Sequence, residues 1–129
     1  MKPLWLEGGI VQMLPLTHDP ATMFFLLLAG HAIADYPLQG RFLAEGKNRH
    51  TTLGREYWPH ALAAHAVIHG GFVVAVTGSA ALGVAETVAH GITDWMKCEG
   101  HIGLNTDQAI HIACKIVWLS LAIAAGLLA

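Results

Sequence analysis

Histidine and carboxylate side chains recur four residues apart in the apolar stretches of this 129-residue sequence. The first pair is His31 and Asp35, near the end of the run FLLLAGHAIAD. Side chains at positions i and i+4 share one face of an α-helix, so each pair predicts a polar stripe. Neutral imidazole and ionised carboxylate are the usual protein ligands of zinc, manganese or iron. The residues with this potential are His31, Asp35, His65, His69, Glu86, His90, Asp94, Asp107 and His111.

Four long apolar segments must position these side chains. They cover about residues 20–36, 59–77, 79–97 and 106–128. Their polar residues repeat every four positions, which predicts helices rather than strands. Helices of this length approach the roughly 30 Å thickness of a bilayer core. The predicted fold is therefore all-α: a four-helix transmembrane bundle running up-down-up-down at residues 20–129, after an interfacial N-terminal arm at residues 1–19.

The composition also favours a membrane protein. Hydrophobic residues make up 54% of the chain and charged residues 12%, with a mean hydropathy of +0.50. Soluble domains carry about 25% charged residues, so this chain lacks the charge for an ordinary water-facing surface. The formal net charge of −2 argues against nucleic acid as a partner, because such binding needs a basic face. The expected partner is the lipid bilayer.

An up-down-up-down arrangement would bring the polar pairs of all four helices to one end of the bundle. Such a cluster predicts a divalent metal site, with zinc as first choice and manganese or iron as alternatives. The candidates outnumber the ligands of one tetrahedral ion, which favours two metals, or one metal with orienting carboxylates around it. The ligand candidates are His31, Asp35, His65, His69, His90, Asp94 and His111, and the candidate general bases are Asp107 and Glu86.

Two interpretations without a metal stay open. Histidines and carboxylates can join helices through hydrogen bonds alone, and polar residues in a membrane can also line a path for protons or ions. No polar stripe continues to the opposite end of the predicted helices, so a path through the membrane is the less favoured of the two.

Basic residues concentrate at the same end of the predicted bundle. The first and third connections hold five of the seven lysines and arginines, which makes that side cytoplasmic by the positive-inside rule. At headgroup level these side chains could also bind an anionic substrate, although topology alone would explain them equally well. The residues placed there as substrate or headgroup contacts are Gln39, Arg41, Lys47 and Lys97.

Four motifs in this sequence resemble a known family. The segments HAIADYPLQGRFLAEGKNR, HALAAHAVIH, HGITDWMK and DQAIH, between about residues 25 and 115, are similar to the bacterial and phage membrane proteins grouped as domain of unknown function 3307. This resemblance implies a multi-pass protein of the bacterial inner membrane, and the positive-inside rule places its first and third connections on the cytoplasmic side. It implies no activity, because the family has no established function.

A more distant similarity is to putative membrane-bound metal-dependent hydrolases, and through them to helical zinc-dependent phospholipase C and single-strand nuclease folds. Those proteins use repeated H-x-x-x-D pairs as metal ligands, a pattern present here as His31/Asp35 and His90/Asp94. This chain departs from the secreted enzymes because it lacks their N-terminal tryptophan ligand. The likeness is therefore an analogy of pattern.

Two functional hypotheses follow. The first is a metal-dependent hydrolase of phosphoester or lipid-like substrates, with its site between helices near the cytoplasmic face. The alternative is a non-enzymatic accessory subunit whose histidine-carboxylate cluster is structural. In that case small residues on the helix faces would dock against a membrane protein partner or a second copy.

Overall fold

The computed structural model describes residues 14–129, and all of its regular elements are α-helices. The elements are α1 (Pro20–Asp35), α2 (Gly40–Gly46), α3 (Gly54–Thr77), α4 (Ala80–Cys98) and α5 (Leu104–Ala124). No strand occurs in this part of the chain. Residues 1–13 of the predicted N-terminal arm lie outside the described residues.

The helix ends follow local signals in the sequence. Asp19 caps α1 by accepting a hydrogen bond of 2.7 Å from the Thr22 backbone N–H, and Pro20 occupies the first turn. Gly78 ends α3 in the left-handed conformation, with φ at 72°. Ser79 then caps α4 through the backbone N–H of Leu82. Because the break is this short, α3 and α4 form a helical hairpin.

The connection between the first two predicted helices differs from the expectation of a long polar loop. It contains α2, and α3 begins at Gly54 rather than at Pro59, which lies inside the helix. Proline is tolerated there because its missing N–H falls near the first turn. Gly40 has a positive φ of 56°, and α1 and α2 meet at a bend of 84°. This bend turns α2 across the end of α1.

Each of the four long helices packs against two others. Helix α3 contacts α1 and α4, while α5 contacts α4 and α1, so that the contacts form a closed ring. The closest approach is between α3 and α4 at Gly70 and Gly83. A Cβ built on Gly70 would lie 2.6 Å from the Gly83 carbonyl oxygen, so only glycine fits this crossing.

The interior is divided between an apolar end and a polar end. The apolar core gathers side chains from the start of α1, the end of α3, the start of α4 and the end of α5. It consists of Met23, Leu27, Val73, Val76, Leu82, Trp118 and Ala122. The opposite half of the same helices buries titratable groups, as the sequence predicted.

The outward faces are apolar. On α4 the exposed residues are Val84, Val88, Ile92 and Trp95, spaced along one face, while the charged residues of that helix point inward. Soluble proteins bury apolar residues and expose charged ones, and this structure shows the opposite arrangement.

Two helices, α3 and α5, are long and apolar enough to cross a membrane, and α1 with α2 counts as a third if the bent pair forms one span. The all-α class is confirmed, and residues 14–129 form five helices where four were predicted. Of the four predicted spans, α3 and α5 are long and apolar enough by themselves, whereas α4 carries three charged residues and α1 has only 16 residues.

Candidate metal centre

The polar end of the structure buries titratable side chains from all four long helices and from the residue after α2. These side chains are His31, Lys47, His65, His69, Glu86, His90, Asp94, Asp107, His111 and Lys115. Asp35 joins them with 10% of its side chain accessible. Burial of so many polar groups is costly unless they pair with one another or coordinate an ion.

The larger of two groups that could hold one ion, here named the Asp35 set, consists of Asp35, His65, His69 and His90. One ligand atom from each residue lies within 4.8 Å of the others. Asp35 Oδ1 is 3.3 Å from His65 Nε2 and 3.1 Å from His69 Nε2. It is 4.0 Å from His90 Nε2. A tetrahedral zinc ion with bonds of about 2.0–2.1 Å separates its ligand atoms by about 3.3–3.4 Å, so this set fits one ion after small adjustments.

Two of the imidazole nitrogens in this set lie near the carboxylates of Asp35 and Asp94 without forming a hydrogen bond within residues 14–129, and His65 Nε2 is 3.4 Å from Asp94 Oδ2. His65 Nε2 and His90 Nε2 are buried, and neither forms a hydrogen bond with the described residues. The rings of His69 and His90 stack with their centroids 3.5 Å apart. Both Nε2 atoms lie within 4.0 Å of Asp35 Oδ1. Buried polar atoms are nearly always satisfied, and unpaired nitrogens that converge are a mark of a missing ligand.

A second group consists of His90, Asp94 and His111. His90 Nε2 is 3.7 Å from Asp94 Oδ2, and His111 Nε2 is 3.6 Å from Asp94 Oδ1. His90 belongs to both groups through the same nitrogen. A neutral imidazole offers one lone pair on that nitrogen, so it can bind an ion in one group and not in both.

The carboxylates of the polar cluster differ in whether a lysine contacts them. Lys47 donates a hydrogen bond to Asp94, and Lys97 Nζ lies 3.0 Å from Asp107 Oδ2. Asp35 contacts histidines and the Gln108 amide, with no lysine against it among residues 14–129. Of the buried carboxylates, Asp35 is thus the one that a metal ion would best neutralise.

Glu86 is as deeply buried as Asp94 and Asp107 and is held on several sides. Lys115 Nζ donates to its Oε1, and Trp118 Nε1 donates to its Oε2. His90 Nδ1 is 3.6 Å from the same Oε1. Glu86 therefore links α5 to the outer nitrogen of a histidine in the Asp35 set.

His31 stands beside the Asp35 set rather than in it. Its Nε2 is 3.3 Å from Asp35 Oδ2 and 3.4 Å from the side-chain oxygen of Gln108. Gln108 Nε2 donates to Asp35 Oδ2 at 3.1 Å and to Asp107 Oδ2 at 3.1 Å. Helix periodicity placed His31 on the correct face, but its nitrogen reaches the far oxygen of Asp35.

The predicted headgroup residues occupy different environments. Lys47 is buried, where it donates to Gln39 as well as to Asp94, and Gln39 in turn donates to the Asp35 carbonyl oxygen at 3.0 Å. Lys97 is partly exposed, with 27% of its side chain accessible. Arg41 is 88% exposed and pairs with Glu45, away from the cluster. The bend before α2 explains this difference, because it carries Lys47 inward.

Two residues of the cluster were not predicted from the sequence. These residues are Lys115 and Gln108, neither of which is among the site residues predicted above. Lys115 lies four residues after His111 on the polar stripe of α5, and Gln108 follows Asp107 directly. The continued i, i+4 spacing was the signal that could have identified Lys115.

The surface near this end of the molecule carries an ion pair outside the helices that hold the cluster. Arg49 Nη2 lies 2.6 Å from Glu99 Oε2, just after the end of α4. The hydrogen bond from Arg49 lowers the pKa of Glu99 below its ordinary value. This pair ties the segment after α2 to the end of α4.

Comparison with known proteins gives one match. The family model described as protein of unknown function (DUF3307) matches residues 23–127. No curated protein and no solved structure matches the chain. The match spans every residue of the polar cluster, and the motifs that suggested this family supply most of the cluster. The chain therefore belongs to the DUF3307 family of proteins of unknown function.

Proposed function

We propose that this chain is an integral membrane protein that binds one divalent metal ion, with zinc the best fit, through the Asp35 set. The convergence of three histidine nitrogens on one oxygen of Asp35 carries this proposal. Three imidazoles with one carboxylate are typical zinc ligands, and their spacing suits a tetrahedron. Softer metals would favour sulfur ligands, which this set lacks.

The charges of the cluster favour one ion over two. Its four carboxylates are Asp35, Glu86, Asp94 and Asp107, and its three ammonium groups belong to Lys47, Lys97 and Lys115. With neutral imidazoles the cluster has one excess negative charge. One divalent ion leaves one excess positive charge, whereas a second ion would leave three in a buried site of low dielectric. Asp94 and Asp107 are then supporting carboxylates, as in one of the two arrangements predicted from the sequence.

The finer proposal is that the site hydrolyses phosphoester or lipid-like substrates near the cytoplasmic face. A divalent ion held by the Asp35 set would supply Lewis-acid activation of a water molecule. Asp107 Oδ1 is buried and forms no hydrogen bond with the described residues, although His111 Nε2 lies 3.3 Å from it. We assign to this oxygen the role of general base. Lys97 is the partly exposed cation beside this carboxylate and suits an anionic headgroup. Glu86 is less suited to proton transfer, because both of its oxygens already accept hydrogen bonds.

The alternative is a structural metal in a non-enzymatic membrane subunit. It is favoured by the ligand count, since four protein ligands complete a tetrahedron and leave no open position. Hydrolysis requires that the ion accept a fifth ligand or that Asp35 move aside. Asp35 is the ligand closest to the surface, which makes this movement feasible.

The test is metal content in detergent-purified protein. We expect one divalent ion per chain in the wild type and a large loss of metal in His65→Ala. His60→Ala is the matched control, because His60 lies on the same helix but is exposed. Wild-type protein without stoichiometric metal, or equal metal in both variants, would refute the proposed site.

Chelation separates the two functions. A hydrolase should lose the metal and its activity toward phosphoester substrates while its helical content stays constant. A structural site should lose helical content together with the metal. Retained fold and no phosphoesterase activity in the loaded protein would argue against both the hydrolase and the structural clip.

A further inference from the structure

The two nitrogens of His90 face different partners. Its Nε2 lies 3.7 Å from Asp94 Oδ2 and 4.0 Å from Asp35 Oδ1, and it forms no hydrogen bond with the described residues. Its Nδ1 faces Glu86 Oε1 at 3.6 Å. The Nδ1 atoms of all three histidines in the Asp35 set are buried without a hydrogen bond in the described part of the chain. Among them, the Nδ1 of His90 is the one that has a carboxylate oxygen within 4.0 Å. His90 is therefore the candidate ligand whose second ring nitrogen faces a carboxylate.

Glu86 cannot turn away from His90 easily. Lys115 holds the oxygen that faces His90, and Trp118 holds the other oxygen. Glu86 and Lys115 are each only 1% exposed, so water does not compete for these contacts. An ion pair at this depth is expensive, and replacing it by apolar residues is often neutral or stabilising. Because this ion pair lies next to a candidate metal ligand, it can have a role in metal binding in addition to any effect on stability.

We propose that Glu86, held by Lys115 at the oxygen that faces His90, is a positioning residue that keeps the proton of His90 on Nδ1 and leaves Nε2 free to bind the metal. This inference rests on the proposed metal site. A carboxylate that accepts the second N–H of a metal-binding histidine fixes its tautomer and orientation and makes it a stronger ligand. Loss of such a carboxylate typically weakens metal affinity by about 10–100-fold.

The test uses a double variant that avoids an isolated buried charge. Glu86→Gln with Lys115→Met removes both members of the ion pair together. We expect metal affinity, measured by competition with a chromophoric chelator, to fall about 10–100-fold while the metal-free protein unfolds near the wild-type temperature. Trp118→Phe is the control, because it removes one hydrogen bond to Glu86 but leaves the oxygen that faces His90. Its affinity should stay close to that of the wild type.

A double variant that folds and binds zinc as tightly as the wild type would overturn the positioning role. An equal loss of affinity in Trp118→Phe would also overturn it, because a general packing defect would then explain both.

A second measurement needs no variant. Nitrogen NMR of zinc-loaded wild type should show His90 bound through Nε2 with Nδ1 protonated, and binding through Nδ1 would refute the proposal. If the wild-type protein binds no zinc, the proposed metal site is wrong. If it binds zinc with an affinity that does not depend on Glu86, only the positioning role is wrong.

Discussion

The close crossing of α3 and α4 at Gly70 makes a quantitative prediction. A Cβ at this position would lie 2.0 Å from Thr87 Oγ1 and 2.6 Å from the Gly83 carbonyl oxygen. The threonine can rotate, but the carbonyl belongs to the backbone. Gly70→Ala must therefore separate the helices by about 0.8 Å to reach an ordinary contact of about 3.4 Å. We expect a loss of about 1–3 kcal/mol in the free energy of unfolding from this overpacking.

The neighbouring glycine is the matched control. A Cβ on Gly71 meets nothing within 4 Å. Gly71→Ala should raise the free energy of unfolding by about 1 kcal/mol, because alanine has a higher helix propensity than glycine. Both variants change the same helix by one methyl group at adjacent positions, so their difference isolates the crossing.

The same separation should weaken the metal site. His69 precedes Gly70 on α3, and its ring stacks on His90 of α4 at 3.5 Å. Metal–ligand distances tolerate deviations of only about 0.2 Å, so a shift of about 0.8 Å between the two helices should lower affinity. The assay is thermal unfolding in detergent by circular dichroism, with zinc affinity measured on the same samples. If Gly70→Ala matches Gly71→Ala in stability and zinc affinity, the crossing of α3 and α4 does not determine the geometry of the metal site.

Three further predictions concern the charges and the metal. Zinc at 100 times its dissociation constant should stabilise the wild type by about 2.7 kcal/mol, and His69→Ala should lose this gain; equal stabilisation of both would contradict the ligand set. Lys47→Met should lower the free energy of unfolding, measured in urea, by about 3–5 kcal/mol because it removes the ammonium group that pairs with the buried Asp94 carboxylate. Adding Asp94→Asn to the same chain should restore much of this loss, because the unpaired charge is then removed. Because Arg49 lowers the pKa of Glu99, their pair contributes stability above the unfolded pKa of about 4.3 and loses it as pH falls through the folded value. Arg49→Ala should therefore differ from wild type more at pH 7 than at pH 3, and the reverse order would exclude this linkage.

The sequence predicted which helix faces converge but not which atoms meet. Spacing of four residues placed His65, His69 and His90 on inward faces, and the alternating helix direction brought them to one end. His31 satisfied the same rule, yet its nitrogen approaches the far oxygen of Asp35. Which oxygen of Asp35 each nitrogen faces depends on the packing of α1 against α3 and α5. Periodicity carries no information at this scale.

The lysines show a second limit. Lys47 was expected at the headgroups because it follows a polar stretch, but the bend at Gly40 and the short helix α2 carry it into the cluster. The pairing of Lys115 with Glu86 joins residues 29 positions apart, which only tertiary packing brings together. The local signals that did succeed were the caps, since Asp19 and the Gly78-Ser79 break act within a few residues.

The most direct test of the account is X-ray absorption spectroscopy of the zinc-loaded protein, because it counts the imidazoles bound to the ion. We predict three imidazoles and at least one oxygen ligand at about 2.0–2.1 Å in the wild type. His65→Ala, His69→Ala or His90→Ala should each remove one imidazole, while His31→Ala and His111→Ala should leave three. A wild-type spectrum with fewer than three imidazoles, or one that loses an imidazole in His31→Ala or His111→Ala, would contradict the Asp35 set as the metal site.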